Sequence, residues 1–314
     1  MRPRRFITEE GGHGSIYLAT PIGSFSGVPE NTPYLVKAEA RKGNAQSLAS
    51  EIEVWNLLTK LSNKRLQPRR CKDGSVTPFF PDYYGGKFET GVNFMIMERM
   101  GCTFSDEIKR CGDILPFEKI CPWMLQILDT LQYSHEQGYT HGDLKPANFV
   151  FGHTKRADSL HLIDFGVAYK YRMGNPLTGK HNVYAAKKNH FTGTLEYASI
   201  SAHEGARPSR RDDLESLAYV MLRACCGGLP WIGAALQGVK EKEKNSRVRA
   251  EKQKALDDID AAVMNALGQP VPLPVRTFLQ HVRSMTYEET PDYDYLRKVL
   301  KGAALLTYAG IFHP

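Results

Sequence analysis

The sequence predicts an α+β chain in two lobes, a small strand-rich lobe up to about Gly101 and a larger helical one beyond it. Two observations carry that reading. Before Gly101 the apolar residues fall in short strand-like runs around a single stretch of helical period, and after it the helical period takes over. The 314 residues are 42% hydrophobic and 24% charged, which suffices for a sizeable core and is too apolar for a disordered chain.

Taken in order, Gly14-Ser-Ile-Tyr-Leu-Ala19 and Pro33-Tyr-Leu-Val-Lys-Ala38 read as strands, parted by a turn region rich in Gly, Pro and Ser from Pro21 to Pro33. From Ala45 to Leu61, Leu48, Ile52, Trp55 and Leu58 recur at three- and four-residue steps, the mark of a helix with one buried stripe. A basic loop with Lys64, Arg65, Arg69, Arg70 and Lys72 follows, then the apolar strand Asn93-Phe-Met-Ile-Met97. Ile120, Met124, Ile127, Leu128 and Leu131 form a second helical stripe, and Gly138 is its expected stop. Two short strands, Asn148-Phe-Val-Phe151 and Leu160-His-Leu-Ile163, flank a polar turn. Leu214 to Cys225 is apolar enough for a helix at the centre of a core. Lys240 to Lys254 mixes Lys, Arg and Glu along a helix and is expected to be a solvated face.

The chemistry concentrates in His141-Gly-Asp-Leu-Lys-Pro-Ala-Asn148 and Leu162-Ile-Asp-Phe-Gly166. The first puts a carboxylate (Asp143), an ammonium (Lys145) and a carboxamide (Asn148) on one short loop between a helix and a hairpin. The second puts a carboxylate (Asp164) at the end of a strand. Oxygen ligands from Asn148 and Asp164 suit Mg²⁺, which takes one or two protein oxygens and completes its shell with water and phosphate. Asp143 can then accept the proton of an attacking hydroxyl while Lys145 balances charge on a phosphoryl group in flight.

With these segments in this order, the sequence resembles the protein kinase superfamily over nearly its whole length, from about Gly11 to Leu300. The resemblance implies one bilobal kinase domain over 1–314, with a β-rich small lobe to about 98, a hinge at 98–101 and a helical lobe from 102. It implies ATP and Mg²⁺ as cofactors, Asp143 as catalytic base, Lys145 as the phosphate-balancing lysine, and Asn148 and Asp164 as metal ligands. Lys37, in Leu35-Val-Lys37, matches the strand lysine that holds the α- and β-phosphates. Glu51 on the next helix is placed to pair with it; Glu53, the alternative, faces away from that side. Gly11 and Gly14 fit the second and third glycines of the phosphate-covering loop, Gly12 joins them in the nucleotide-binding set, and Ile16 roofs the adenine. Glu9 replaces the first glycine, a departure that adds bulk and negative charge where the backbone should approach phosphate. Leu35, where many kinases carry Ala, narrows the adenine pocket. Val150 is its floor, Met97 the gatekeeper, and Glu98 and Met100 offer backbone groups to adenine.

Within the superfamily, Gly193-Thr-Leu-Glu-Tyr-Ala-Ser-Ile200, Ser209-Arg-Arg-Asp-Asp-Leu-Glu-Ser216 and Met285-Thr-Tyr-Glu-Glu-Thr-Pro-Asp-Tyr-Asp-Tyr-Leu296 resemble casein kinase 1 and the vaccinia-related kinases. Gly142 tilts toward the vaccinia-related branch, and Asp164-Phe-Gly with Ser-Arg-Arg-Asp-Asp toward casein kinase 1. Thr194 matches the threonine that bridges the catalytic Asp and Lys in serine/threonine kinases, so Ser or Thr is the expected acceptor. Asp213 is expected to anchor the catalytic-loop backbone. Gly142 stands where kinases switched on by activation-loop phosphorylation carry a phosphate-gripping arginine, which implies activity independent of that modification. Two rivals share part of this pattern. A kinase-like scaffold without catalysis draws only on Glu9 and Leu35. A small-molecule kinase of the aminoglycoside phosphotransferase type also starts its loop His-Gly-Asp, but Lys145-Pro, Asp-Phe-Gly and Gly193-Thr argue against it.

With 41 Lys+Arg against 34 Asp+Glu, the net charge of +7 asks for an anionic partner. Lys37 and Lys145 serve ATP. Lys170, Arg172, Lys180, His181, Lys187, Lys188, His190, Arg207, Arg210 and Arg211 suggest a basic surface for acidic or phosphorylated protein substrates. Nucleic acid is a secondary partner, without an aromatic-interleaved or helix-turn-helix signature. No apolar run reaches the roughly 20 residues of a membrane helix. The basic start Met1-Arg-Pro-Arg-Arg-Phe lacks a signal segment, and the six cysteines lack CxxC spacing. An intracellular monomer, cytoplasmic or nuclear, is the expectation.

Overall fold

The computed structural model describes residues 2–6, 15–20, 33–40, 47–65, 69–70, 76–77, 79–89, 91–174, 179–182, 191–233 and 236–302. The chain divides into two compact units, Met1–Cys102 with Val150–Ala168, and Thr103–Phe149 with Tyr169–Pro314.

The first unit is built on an antiparallel sheet of β1 (Arg2–Phe6), β2 (Ser15–Thr20), β3 (Tyr34–Ala40), β4 (Tyr83–Glu89) and β5 (Val92–Glu98), in the order β1-β2-β3-β5-β4. Strands β1 and β4 were not apparent in the sequence pattern. In β1 two arginines and a proline hide the alternation, and β4 carries the pair Gly85-Gly86. Gly86 is needed: a Cβ there would lie 2.8 Å from the Ile52 side chain, so glycine lets the strand cross close over the helix. That helix, α1 (Ser47–Arg65), buries the expected stripe of Leu48, Ile52, Trp55 and Leu58 almost completely. Each such burial contributes about 1.5–3 kcal/mol.

The hairpin of β6 (Phe149–Phe151) and β7 (Leu160–Leu162) belongs from Val150 onward to this first unit, although the sequence reading placed it in the larger lobe. The reason is local bonding. Gly101 N–H donates to the Phe151 carbonyl at 2.7 Å, Phe151 N–H donates to Cys102 at 2.9 Å, and Arg156 pairs with Glu98. Phe165 then packs edge-to-face against Trp55 (5.7 Å between centroids) and Phe80 (5.8 Å), which fixes the chain immediately after Asp164.

The second unit is helical: α2 (Phe104–Arg110), α3 (Phe117–Glu136), α4 (Ile200–His203), α5 (Arg210–Cys226), α6 (Glu241–Asp257), α7 (Ile259–Leu267), α8 (Leu273–Ser284) and α9 (Tyr293–Leu300). Its axis is α5, buried on nearly every side, which explains why Leu214–Cys225 shows no polar face. At its start the Ser209 N–H donates to Asp212 Oδ2 at 2.7 Å, and Gly227 ends it in the left-handed conformation at φ +78°. The expected stripe of α3 is fully buried, and that helix ends just before Gly138. For α6 the solvated-face expectation needs correction. Val248, Lys252 and Ala255 are buried, and Lys252 has no exposed surface.

Candidate active site

In the first unit, Lys37 is the focus. The strand register sets Ile16 opposite Lys37 and Leu35 opposite Met97, so these four residues share one sheet face. Helix α1 carries Glu51 to the same side, where it is 1% exposed, whereas Glu53 is exposed as expected. Lys37 Nζ contacts Glu51 Oε2 at 2.7 Å and Asp164 Oδ1 at 2.8 Å. Burial works against the charge on Lys37, but the carboxylates of Glu51 and then Asp164 outweigh it and raise its pKa. Burial raises Glu51, an effect that its attraction to Lys37 only partly offsets. Asp164 holds a left-handed backbone at φ +68°, a strained conformation that Asp tolerates better than most residues.

Met97 and Met100 are each 8% exposed and Val150 is 5% exposed, all three in the first unit. The Glu98 N–H donates to the Asp82 carbonyl at 2.8 Å, so this backbone group, one of those expected to serve adenine, is already bonded. Gly11, Gly12 and Gly14, and Glu9 with them, lie outside the described residues.

In the second unit, the loop after α3 is built around Asp143. Lys145 Nζ donates to Asp143 Oδ2 at 2.7 Å and to Thr194 Oγ1 at 3.1 Å, while the Thr194 hydroxyl donates to Asp143 Oδ1 at 2.7 Å. The three side chains thus close a ring. Asn148, nearly buried, donates from Nδ2 to the Asp143 carbonyl at 2.8 Å, which turns its Oδ1 the other way. Gly193 has φ +99°, and a Cβ there would meet the Gly142 carbonyl oxygen at 2.9 Å, so only glycine brings Thr194 this close.

Asp213 anchors this loop from α5. Its Oδ2 accepts from His141 N–H at 2.7 Å and its Oδ1 from Gly142 N–H at 2.9 Å. Burial alone would raise the Asp213 carboxyl, but the bond from His135, the nearby imidazoles and the Gly142 amide hold it below the usual range. His135 Nε2 lies 2.8 Å from Asp213 Oδ2, and its Nδ1 lies 2.5 Å from the Tyr293 hydroxyl. The sequence reading missed His135 and Tyr293; the available signal was a histidine four residues beyond Leu131 on the buried stripe of α3.

The basic surface expected beyond Asp164 needs revision. Arg210 is buried and donates to the Glu288 carbonyl at 2.7 Å, and Arg211 donates to the Met285 carbonyl at 2.8 Å. Both arginines fasten the chain near its C-terminal end. Lys170, Lys180 and Arg207 are exposed, whereas Lys187, Lys188 and His190 lie outside the described residues.

Each unit carries one oxygen ligand of the kind Mg²⁺ accepts, the Asp164 carboxylate in the first and the Asn148 carboxamide in the second. A carboxylate and a carboxamide oxygen fit an ion that completes its shell with water and phosphate; among the described residues no group of three or more His, Cys, Asp or Glu gathers as a metal site. No helix among them is long and apolar enough to cross a membrane. A family model described as protein kinase domain matches residues 83–313, more than half of the chain. The match takes in Asp143, Lys145, Asn148, Asp164 and Thr194 but starts after Lys37 and Glu51.

Proposed function

Because this chain belongs to the protein kinase domain family, we propose that it transfers the ATP γ-phosphoryl group to Ser or Thr hydroxyls of protein substrates. The observation that carries the acceptor choice is the closed ring of Asp143, Lys145 and Thr194. The Asp143 carboxylate receives the proton of the acceptor hydroxyl, and Lys145 keeps positive charge beside it. Thr194 holds Asp143 Oδ1 so that the carboxylate keeps one orientation. Lys37, held by Glu51 and in contact with Asp164, is positioned to keep its bond to Glu51 while it meets the α- and β-phosphates. Asp164 in the first unit and Asn148 in the second are the residues that would hold Mg²⁺, which when bound would supply neutralisation of phosphate charge.

The Gly193–Ile200 and Ser209–Ser216 segments, by their resemblance, support reading the chain as a relative of casein kinase 1 and the vaccinia-related kinases. Those two segments are joined here by a buried hydrogen bond from the Ser199 hydroxyl to Asp212 Oδ1 at 2.8 Å. Exposed Lys170, Lys180 and Arg207 favour acidic or phosphorylated substrates. The sparse cysteines, without CxxC spacing, support an intracellular setting.

Incubation of the purified protein with Mg²⁺-ATP and casein, followed by phosphoamino-acid analysis, tests this. Phosphoserine and phosphothreonine are expected. Asp143→Asn should abolish transfer while keeping a Mg²⁺-dependent thermal shift with nucleotide. Phosphotyrosine as the main product, or residual wild-type transfer in Asp143→Asn, would refute the reading.

A further inference from the structure

Lys252 is a fully buried lysine on a helix otherwise dominated by solvated charge. Its ammonium lies over the rings of Tyr219 (4.8 Å) and Trp231 (5.1 Å). All three of its protons have acceptors: the Leu195 carbonyl at 3.2 Å, the Ala198 carbonyl at 2.6 Å and His203 Nε2 at 3.1 Å. The histidine tautomer agrees, because Nδ1 faces Asn245 Oδ1 at 2.6 Å and so carries the proton. Burying an ammonium costs free energy that a methionine or leucine of similar volume would not. A side chain kept here at that cost has to do something an apolar one cannot.

What it does is visible in its partners. Thr194 to Ala198 is a turn whose Thr194 carbonyl accepts from the Tyr197 and Ala198 amides at 3.0 and 2.9 Å. Lys252 takes the carbonyls of Leu195 and Ala198, and Trp231 Nε1 donates to the carbonyl of Glu196 at 2.9 Å. The turn is therefore fastened from one side at three carbonyls, and its first residue is the threonine that reaches Asp143 and Lys145.

We propose that Lys252 is a positioning residue for phosphoryl transfer: its buried ammonium clamps the turn Thr194–Ala198 in the form that delivers Thr194 to Asp143 and seats the acceptor segment of the protein substrate. The proposal rests on the kinase reading above for its kinetic consequence, but the clamp itself is a structural statement that can be measured separately.

Lys252→Met keeps the length and removes the donors. It is expected to lower kcat/KM for casein about tenfold or more, while the KM for ATP stays within about twofold. Hydrogen exchange at the Tyr197 and Ala198 amides should quicken at least about tenfold, with the amides of α5 unchanged. Lys252→Arg, which restores donors, should recover part of both. Unchanged casein kinetics in folded Lys252→Met would overturn the proposal, as would faster exchange spread evenly through α5 and α6. Should Lys252→Met fail to fold, Trp231→Phe removes the bond to Glu196 and trims the ring over the ammonium, and must show the same kinetic split in weaker form; wild-type kinetics there also overturn it. A wild-type protein inactive on casein sinks the kinase reading instead, and exchange in Lys252→Met still decides the clamp.

Discussion

A single missing methyl group at Gly193 sets the geometry of the acceptor site. Its φ of +99° and the 2.9 Å approach of a would-be Cβ to the Gly142 carbonyl are independent constraints, one conformational and one steric. Gly193→Ala is expected to cost about 1–3 kcal/mol and to push Thr194 and Gly142 apart. Because Thr194 steadies Asp143, kcat for casein should fall about tenfold or more, with the nucleotide thermal shift retained. A variant with wild-type kcat would show that the close approach is dispensable. At this scale the sequence was informative where chemistry-bearing residue types crowd one short loop: Asp143, Lys145 and Asn148 could be picked out, and Thr194 followed from Gly193. It was misleading where a polar residue takes an apolar slot. Val248, Lys252 and Ala255 follow helical spacing, but a lysine amid lysines and glutamates looks solvated until the carbonyls it reaches are known. Arg210 and Arg211 are the converse case, since both look like a phosphate grip and both are spent on main-chain carbonyls.

Among the elements, helices α1, α3 and α5 were legible because a buried stripe, or a wholly buried helix, leaves a periodic trace, while β1 and β4 owe their place to pairing with neighbours rather than to their own alternation. The loop between α3 and β6 is held in a different way from any periodic element. Asp213 binds two successive amides, at His141 and Gly142, and Gly142 adopts φ +82°, so the loop is fixed by a buried carboxylate of α5. With glycine at 142, this loop offers no arginine there to grip a phosphate carried by the segment beyond Asp164. Protein made in bacteria and treated with phosphatase should therefore keep its full rate on casein. A large loss after dephosphorylation, restored by incubation with ATP, would show that activity depends on a phosphate in spite of the glycine at 142.

For the whole molecule, the ionisable groups buried around α4, α5 and α6 make stability depend on pH. His203 is 4% exposed and stacks on Phe191 at 5.2 Å. Burial first, and then the neighbouring Lys252 ammonium, push its pKa down to about 4 from an ordinary 6.5, with Arg249 adding to the effect and the bond to Asn245 opposing it. Above pH 6.5 the imidazole is neutral in both the folded and unfolded states. Below that value the unfolded chain takes up a proton that the folded one refuses until about pH 4, so stability falls with pH across this window. At pH 5 the loss from this one group is about 2 kcal/mol, which corresponds to roughly 4–8 °C in the midpoint of a unit this size. Lys252 has the same sign at higher pH, since burial lowers its pKa from 10.5 to about 7 despite attraction from Glu215 and Glu196; below pH 7 its charge adds to the burial that keeps His203 neutral. Thermal unfolding at pH 7 and pH 5 should thus show a larger drop for the wild type than for His203→Gln. Lys252→Met, which removes the repelling charge, should shrink the drop as well. An equal drop in all three proteins would mean that His203 takes its proton freely in the folded state, and that the slot between α4 and α6 is far wetter than its packing indicates.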